Sequence, residues 1–164
     1  MSRPSDPRRG YELYLKLAGM PLGKWLFTQA VCLQAPYFAS IRPLFQRLEP
    51  GRAVVSMRKR RRVQNHIGTV HALAMGNLCE LAAGLVMEAS LTRETRWIPR
   101  SMNIEYLAKA HTDVTATATV PVQAWPEPAD VPVQVSVRNR MDEEVVRADI
   151  KMYVSPQPRA EAPV

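Results

Sequence analysis

The sequence predicts an α+β domain in which a curved antiparallel sheet wraps around one long, enclosed helix, with short helices ahead of it. Residues 70–91 are apolar on nearly every side, interrupted by His71, Asn77, Glu80 and Glu88, and a helix hydrophobic all round has to be enclosed. Four alternating runs follow: Met102, Ile104, Tyr106; Val114, Ala116, Ala118, Val120; Val131, Val133, Val135, Val137; and Val146, Ala148, Ile150, Met152, Val154. Their period of two is that of half-buried strands. A strand-like segment precedes the helix, and the order strand, helix, four closely linked strands fits one antiparallel sheet closed over one helix.

In chain order, residues 11–48 carry apolar side chains at three- and four-residue steps (Leu13, Leu17; Leu22, Leu26, Ala30, Leu33; Ile41, Leu44, Leu48). That spacing lines one face of a helix, and Pro21, Pro36 and Pro43 divide the stretch into short helices. These helices are expected to pack on the domain that follows; lying on a membrane is the alternative, given Trp25, Phe27, Lys16 and Lys24. Residues 52–64 read as a strand, with Val55, Met57 and Val63 on one parity. Thr69 is the expected N-cap of the long helix. A membrane span is disfavoured there, because two carboxylates, a His and an Asn are costly in lipid. Residues 121–132 read as a loop and 139–143 as a hairpin turn. The expected organisation is therefore a helical extension over 1–50, a core domain over 51–154 and a flexible tail over 155–164.

The chain has 164 residues, enough for one domain with a sizeable core. Its net charge of +7 attracts anions without choosing among nucleic acid, anionic membrane and a phosphate-rich substrate. Arg58-Lys59-Arg60-Arg61-Arg62 is the densest charge. On a strand it would split between two faces, and it has no interleaved aromatic residues for base stacking. No nucleic-acid partner is expected. Cys32 and Cys79 lie in apolar runs and read as two reduced thiols, as in a cytoplasmic protein. The basic start lacks an apolar stretch of the kind a signal peptide needs.

Polar groups gather at the strand-to-helix junction: Asn65, Gly68, Thr69, His71 and Ala72, followed by Glu80 inside the helix. Asn65 stands six residues before His71, and Glu80 nine after it. This pattern resembles the hotdog-fold thioesterases of the phenylacetate-pathway and acyl-CoA type, and within them a thioesterase-like family of largely unassigned function. Those enzymes place an Asn six residues before a His-Gly-Gly and an acid nine after the His. The resemblance covers residues 52–154. It departs at Ala72-Leu73, which replace the Gly-Gly pair and add two side chains where a thioester carbonyl would approach.

The resemblance implies hydrolysis of an acyl thioester, with Glu80 activating water and with the Ala72 N–H and the Asn65 amide stabilising the oxyanion. Gly68, Thr69, His71 and Leu73 would line the substrate. Arg58, Arg60 and Arg96 would meet the phosphates of coenzyme A, which enters as part of the substrate; no separate cofactor and no metal is expected. Ser101 is a candidate helper. Cys79 is an unsuitable nucleophile, since adjacent helical residues point about 100° apart and nothing nearby in sequence lowers its pKa. A binding protein that holds acyl-CoA without turnover, and a basic nucleic-acid or membrane-surface module, are the competing readings.

Geometry adds a constraint independent of the family. From His71 to Glu80 a helix turns about 900° and rises about 13.5 Å, so the helix start and Glu80 face opposite ways. One carbonyl cannot reach both within a protomer, so a two-fold homodimer with two composite sites is expected, and the pairing of dimers into tetramers is left open.

Overall fold

The computed structural model describes residues 8–157. Helices α1 (Arg9–Leu17) and α2 (Gly23–Gln34) and a 3-10 turn (Pro36–Ile41) lead into strands β1 (Pro43–Glu49) and β2 (Arg52–Met57). The long helix α3 (Ala72–Ser90) follows, and then β3 (Thr95–Tyr106), β4 (Val114–Thr119), β5 (Ala129–Asn139) and β6 (Glu144–Pro156). The six strands form one antiparallel sheet in the order β1-β2-β4-β5-β6-β3. With its central helix and N-terminal helices, this is the α+β hotdog fold that the sequence predicts.

Strands β4, β5 and β6 bury alternate residues, including Val114, Ala116, Val133, Val135, Val137, Ala148 and Ile150. Against that apolar face lies α3, whose Leu78, Cys79, Ala82, Ala83, Val86 and Met87 are almost wholly inaccessible. Length and composition alone would let α3 cross a membrane, but 72% of its most apolar window is buried inside the protein. Its C-terminal end is tied down by Ser90, whose hydroxyl donates to the Val86 carbonyl (2.6 Å) and accepts from Gly51 N (2.8 Å) in the β1–β2 turn.

The N-terminal helices pack on the sheet through an aromatic row. Tyr14 meets Phe27 edge-on at 5.2 Å, and Phe27 meets Phe45 of β1 at 5.1 Å. Leu48 N donates to Tyr14 Oη (3.1 Å) and Phe45 N to Thr28 Oγ1 (3.2 Å), so both helices are bonded to β1 as well as packed on it.

Several local expectations are corrected. Ile41, Leu44 and Leu48 are not a helix face: Pro43–Glu49 is a strand, and the sheet therefore begins inside the stretch assigned to the extension. The second strand ends at Met57, and the basic run leaves the sheet as a loop with a short 3-10 turn at Arg61–Val63. Asp113 holds the start of that loop through Lys59 N (2.8 Å). The helix starts at Ala72, two residues later than read, and its N-cap is His71 in place of Thr69. Ser155 and Pro156 belong to β6, while residues 158–164 of the expected tail lie outside the described ones. The 139–143 hairpin is as read, closed by Met141 N and Glu143 N donating to Asn139 Oδ1 (2.9 and 3.1 Å).

Candidate active site

The junction before α3 is built around Asn65. Its Oδ1 accepts from Ile67 N (3.2 Å) and Thr69 N (3.0 Å), and its Nδ2 donates to Thr69 Oγ1 (2.8 Å). One hydrogen of Nδ2 is left over. Gly68 takes the left-handed φ of +77° that this tight loop requires, and Thr69 is buried beneath it. His71 caps the helix by accepting from Leu73 N at Nδ1 (3.1 Å) and is fixed by its own N–H on the Val63 carbonyl (2.8 Å). The Ala72 N–H therefore stands at the positive end of the helix with no partner among the described residues. Leu73, 71% exposed, points to solvent.

A second centre lies along the other side of α3. A cavity of about 890 Å³ opens between α2, the 3-10 turn, α3 and β3. Phe27, Val31, Phe38, Leu81, Leu85 and Trp97 supply its apolar wall, and Glu80, Glu88, Arg8, Arg9, Arg93 and Arg96 its charges. Glu88 is consumed internally: it accepts from Arg8 Nε (2.7 Å) and from Gly10 N (3.1 Å). Arg93 pairs with Glu12, and Arg96 Nε donates to Ser155 Oγ (3.0 Å). Glu80, half-buried, has neither a hydrogen bond nor an ion pair among the described residues, unlike Glu88 in the same cavity.

Asn65, Gly68, Thr69, His71, Ala72 and Leu73 thus form one cluster, and Glu80 and Arg96 belong to another; none of the first group lines the cavity within the same chain. Arg58 and Arg60 sit on the loop after β2, where Arg60 Nη2 donates to the Ser40 carbonyl (3.2 Å). Ser101 is exposed on β3 and does not line the cavity. Of the aromatic residues on the N-terminal helices and the 3-10 turn, Phe27 and Phe38 line the cavity, whereas Trp25 and Tyr37 are exposed and do not line it. Burial pushes the Cys79 thiol up to about 12, which keeps it protonated and unreactive.

Three features of this region have no role in the sequence reading. Trp97 crosses Gly84 so closely that a Cβ there would lie 2.9 Å from its ring. Tyr106 Oη donates to the Ala72 carbonyl (3.4 Å), and burial, then the neighbouring Cys79, raise its pKa. Asn77 is buried, with Nδ2 on Ser40 Oγ (3.3 Å) and Oδ1 unpartnered. Asn77 was visible as a polar residue in an apolar helix; the other two depend on β3, whose course over α3 local patterning does not reveal.

The family model for a domain of unknown function, DUF4442, matches residues 23–154. The chain belongs to the DUF4442 family. No curated protein matches it. Among solved structures, the DUF4442 chain is similar to a structural-genomics protein, APC5556, at 44% identity and TM-score 0.77, over 90% of this chain and 98% of the other. It also resembles PA5026 from Pseudomonas aeruginosa, described as a probable thioesterase (18% identity, TM-score 0.73, 84% and 99% covered). The thioesterase HI1161 from Haemophilus influenzae is similar at 15% identity and TM-score 0.65, with 73% and 82% covered. At these two lower identities the likeness concerns the fold.

Proposed function

We propose that this DUF4442 protein is an acyl-thioester hydrolase, acting on acyl-CoA or an acyl-carrier thioester, with two composite sites in a homodimer. The observation that carries this reading is Glu80: a carboxylate without a partner among the described residues, on an enclosed helix, facing a cavity whose apolar wall is long enough for an acyl chain. A carboxylate set beside an apolar wall in a cleft is a candidate for meeting a ligand there.

In the proposed reaction the Glu80 carboxylate takes a proton from water as the water oxygen bonds to the thioester carbonyl carbon. The carbonyl oxygen becomes an oxyanion, held by the free Ala72 N–H and the spare Nδ2 hydrogen of Asn65 at the head of α3 of the partner subunit. Collapse breaks the C–S bond, and the thiolate leaves with the proton that Glu80 returns. A free acid and a free thiol result. Arg96, which lines the cavity, and Arg58 and Arg60, on the loop after β2, would face the phosphates of the carrier.

Strand β3 supports the dimer. It is one of the two outer strands of the sheet, bonded to β6 on one side, and among the described residues no strand pairs with its other side, beside exposed Ile98, Met102 and Tyr106. The same strand contributes Trp97 and Pro99 to the cavity, so a copy pairing there would bring its own α3 toward the site.

The test is thiol release from acyl-CoA substrates of graded length. Glu80→Gln keeps the shape and removes the base, and turnover should fall by about 10²–10⁴-fold with acyl-CoA binding retained. Wild-type protein that binds acyl-CoA and never turns it over would instead be a carrier or sensor of the same fold.

A further inference from the structure

Helix α2 is apolar on both of its faces. Gly23, Phe27, Thr28 and Cys32 are buried, and Phe27 and Val31 line the cavity. At about 100° per residue, Trp25, Leu26, Gln29 and Leu33 fall within an arc of about 100° on the opposite side. All four are exposed, Leu33 by 82%, and Gln29 is the one polar residue among them. The stripe continues at both ends. Met20 and Leu22 precede it in the α1–α2 turn, Leu22 being 76% exposed and held in a left-handed conformation (φ 59°), while Tyr37 follows on the 3-10 turn.

Between Glu12 and Glu49 the sequence contains no Asp or Glu, and its cations are Lys16, Lys24, Arg42 and Arg47, of which Arg47 is paired with Glu49. Just past Tyr37, Arg42 closes the 3-10 turn, and Arg60 reaches the Ser40 carbonyl. The Arg60 guanidinium titrates below its usual range, first through burial and then through Arg42 and Arg62 beside it. Among the described residues, Arg42, Arg60 and Arg62 have no carboxylate partner, whereas arginines elsewhere, such as Arg47, Arg100, Arg140 and Arg147, do. A second copy seated on this face would bring two such cationic sets together with nothing to neutralise them.

We infer that the outer face of α2 docks on an anionic membrane surface, with Leu22, Trp25, Leu26 and Leu33 in the acyl boundary and the lysines and arginines at the headgroups. Trp at the interface, leucines below it and cations around them are the composition such a surface selects. The inner face of the same helix walls the cavity, so one helix thickness separates the bilayer from the proposed acyl site. The substrates are therefore long-chain thioesters that partition into membranes. This last step rests on the hydrolase reading; the docking itself does not.

Vesicle flotation of the full chain at physiological ionic strength tests it, with sedimentation velocity alongside. Liposomes containing about a third anionic phospholipid should float the wild type. Neutral phosphatidylcholine liposomes and a Leu26→Glu/Leu33→Glu variant should each lower the bound fraction at least about tenfold. Both changed leucines are exposed and lie outside the cavity, so turnover of a short, soluble acyl thioester should be unchanged while turnover of vesicle-borne long-chain substrate falls. Failure of the wild type to float, equal binding to neutral liposomes, or a variant that floats normally would overturn the inference. So would loss of flotation accompanied by a drop in oligomeric mass, which would assign the face to a second copy. Normal flotation without hydrolysis of any chain length would remove the hydrolase reading and leave the docking in place.

Discussion

Glu80 and Glu88 stand about two turns apart on α3 and have opposite surroundings. Arg8 and the Gly10 N–H hold Glu88 at a fixed place, while Glu80 faces the cavity without a partner among the described residues. The sequence presents both as acids in an apolar helix, and spacing from His71 singles out Glu80; the Arg8–Glu88 pair, made across a gap of eighty residues, has no local signature. The Asn65 cluster was legible in part. Its polar residues marked the junction, but the cap fell to His71, because Thr69 is spent on Asn65 Nδ2 inside the loop. A substitution isolates the proposed oxyanion donor. Ala72 is the first helical residue, where proline is tolerated, and His71 before it already has φ −66° and ψ 139°, as proline demands. Ala72→Pro should keep the melting temperature within a few degrees and lower kcat by about 10²–10³-fold, measured by thiol release.

At the scale of elements, β1 shows how patterning misleads. Its inward residues are Pro43, Phe45 and Leu48, because a bulge between Phe45 and Arg47 stretches one step from two residues to three. Together with Ile41 this imitates helical spacing, and no count of period can separate the two without knowing that β2 lies alongside. The basic loop after β2 failed for a related reason: its extended start is held by Asp113, far along the chain. Burial alone would raise the Asp113 carboxyl, but the Lys59 N–H, the Arg140 guanidinium and the Arg58 charge outweigh it, so the group titrates below its ordinary value. The stabilisation is then complete above about pH 4 and is lost as pH falls through the lower folded value. Acid melting curves of wild type and Asp113→Asn should accordingly differ at neutral pH and converge at low pH. The contact between α3 and β3 gives a sharper contrast. A methyl group at Gly84 meets the rigid Trp97 ring at 2.9 Å, but at Gly76 it meets only the tip of Ile104 at 3.2 Å. Gly84→Ala should cost about 1–3 kcal/mol in urea denaturation and shift the acyl-length profile, because Trp97 is cavity wall; Gly76→Ala should cost less, helped by helix propensity.

For the whole molecule, the order of elements carried the fold: an enclosed helix followed by four alternating runs leaves few ways to close one sheet. The part that sequence could not supply is where the sheet stays open. Met102, Ile104 and Tyr106 alternate like a half-buried strand, yet β3 is the edge and most of its residues are exposed. If that edge pairs with a second copy, Ile98→Lys/Met102→Lys should halve the sedimenting mass and abolish turnover, with the far-ultraviolet circular dichroism of the fold retained; an active monomer would sink the two-site arrangement.

The salt bridge between Arg8 and Glu88 also fixes a length. A hydrocarbon tail lying along α3 from Glu80 travels about 12 Å before it reaches that pair, and there it confronts charge that methylene groups cannot solvate. Under the proposed hydrolase reading the bridge would be the end stop of a ruler whose zero mark is Glu80, so selectivity among fatty tails would be written in how far apart two acids sit on one helix.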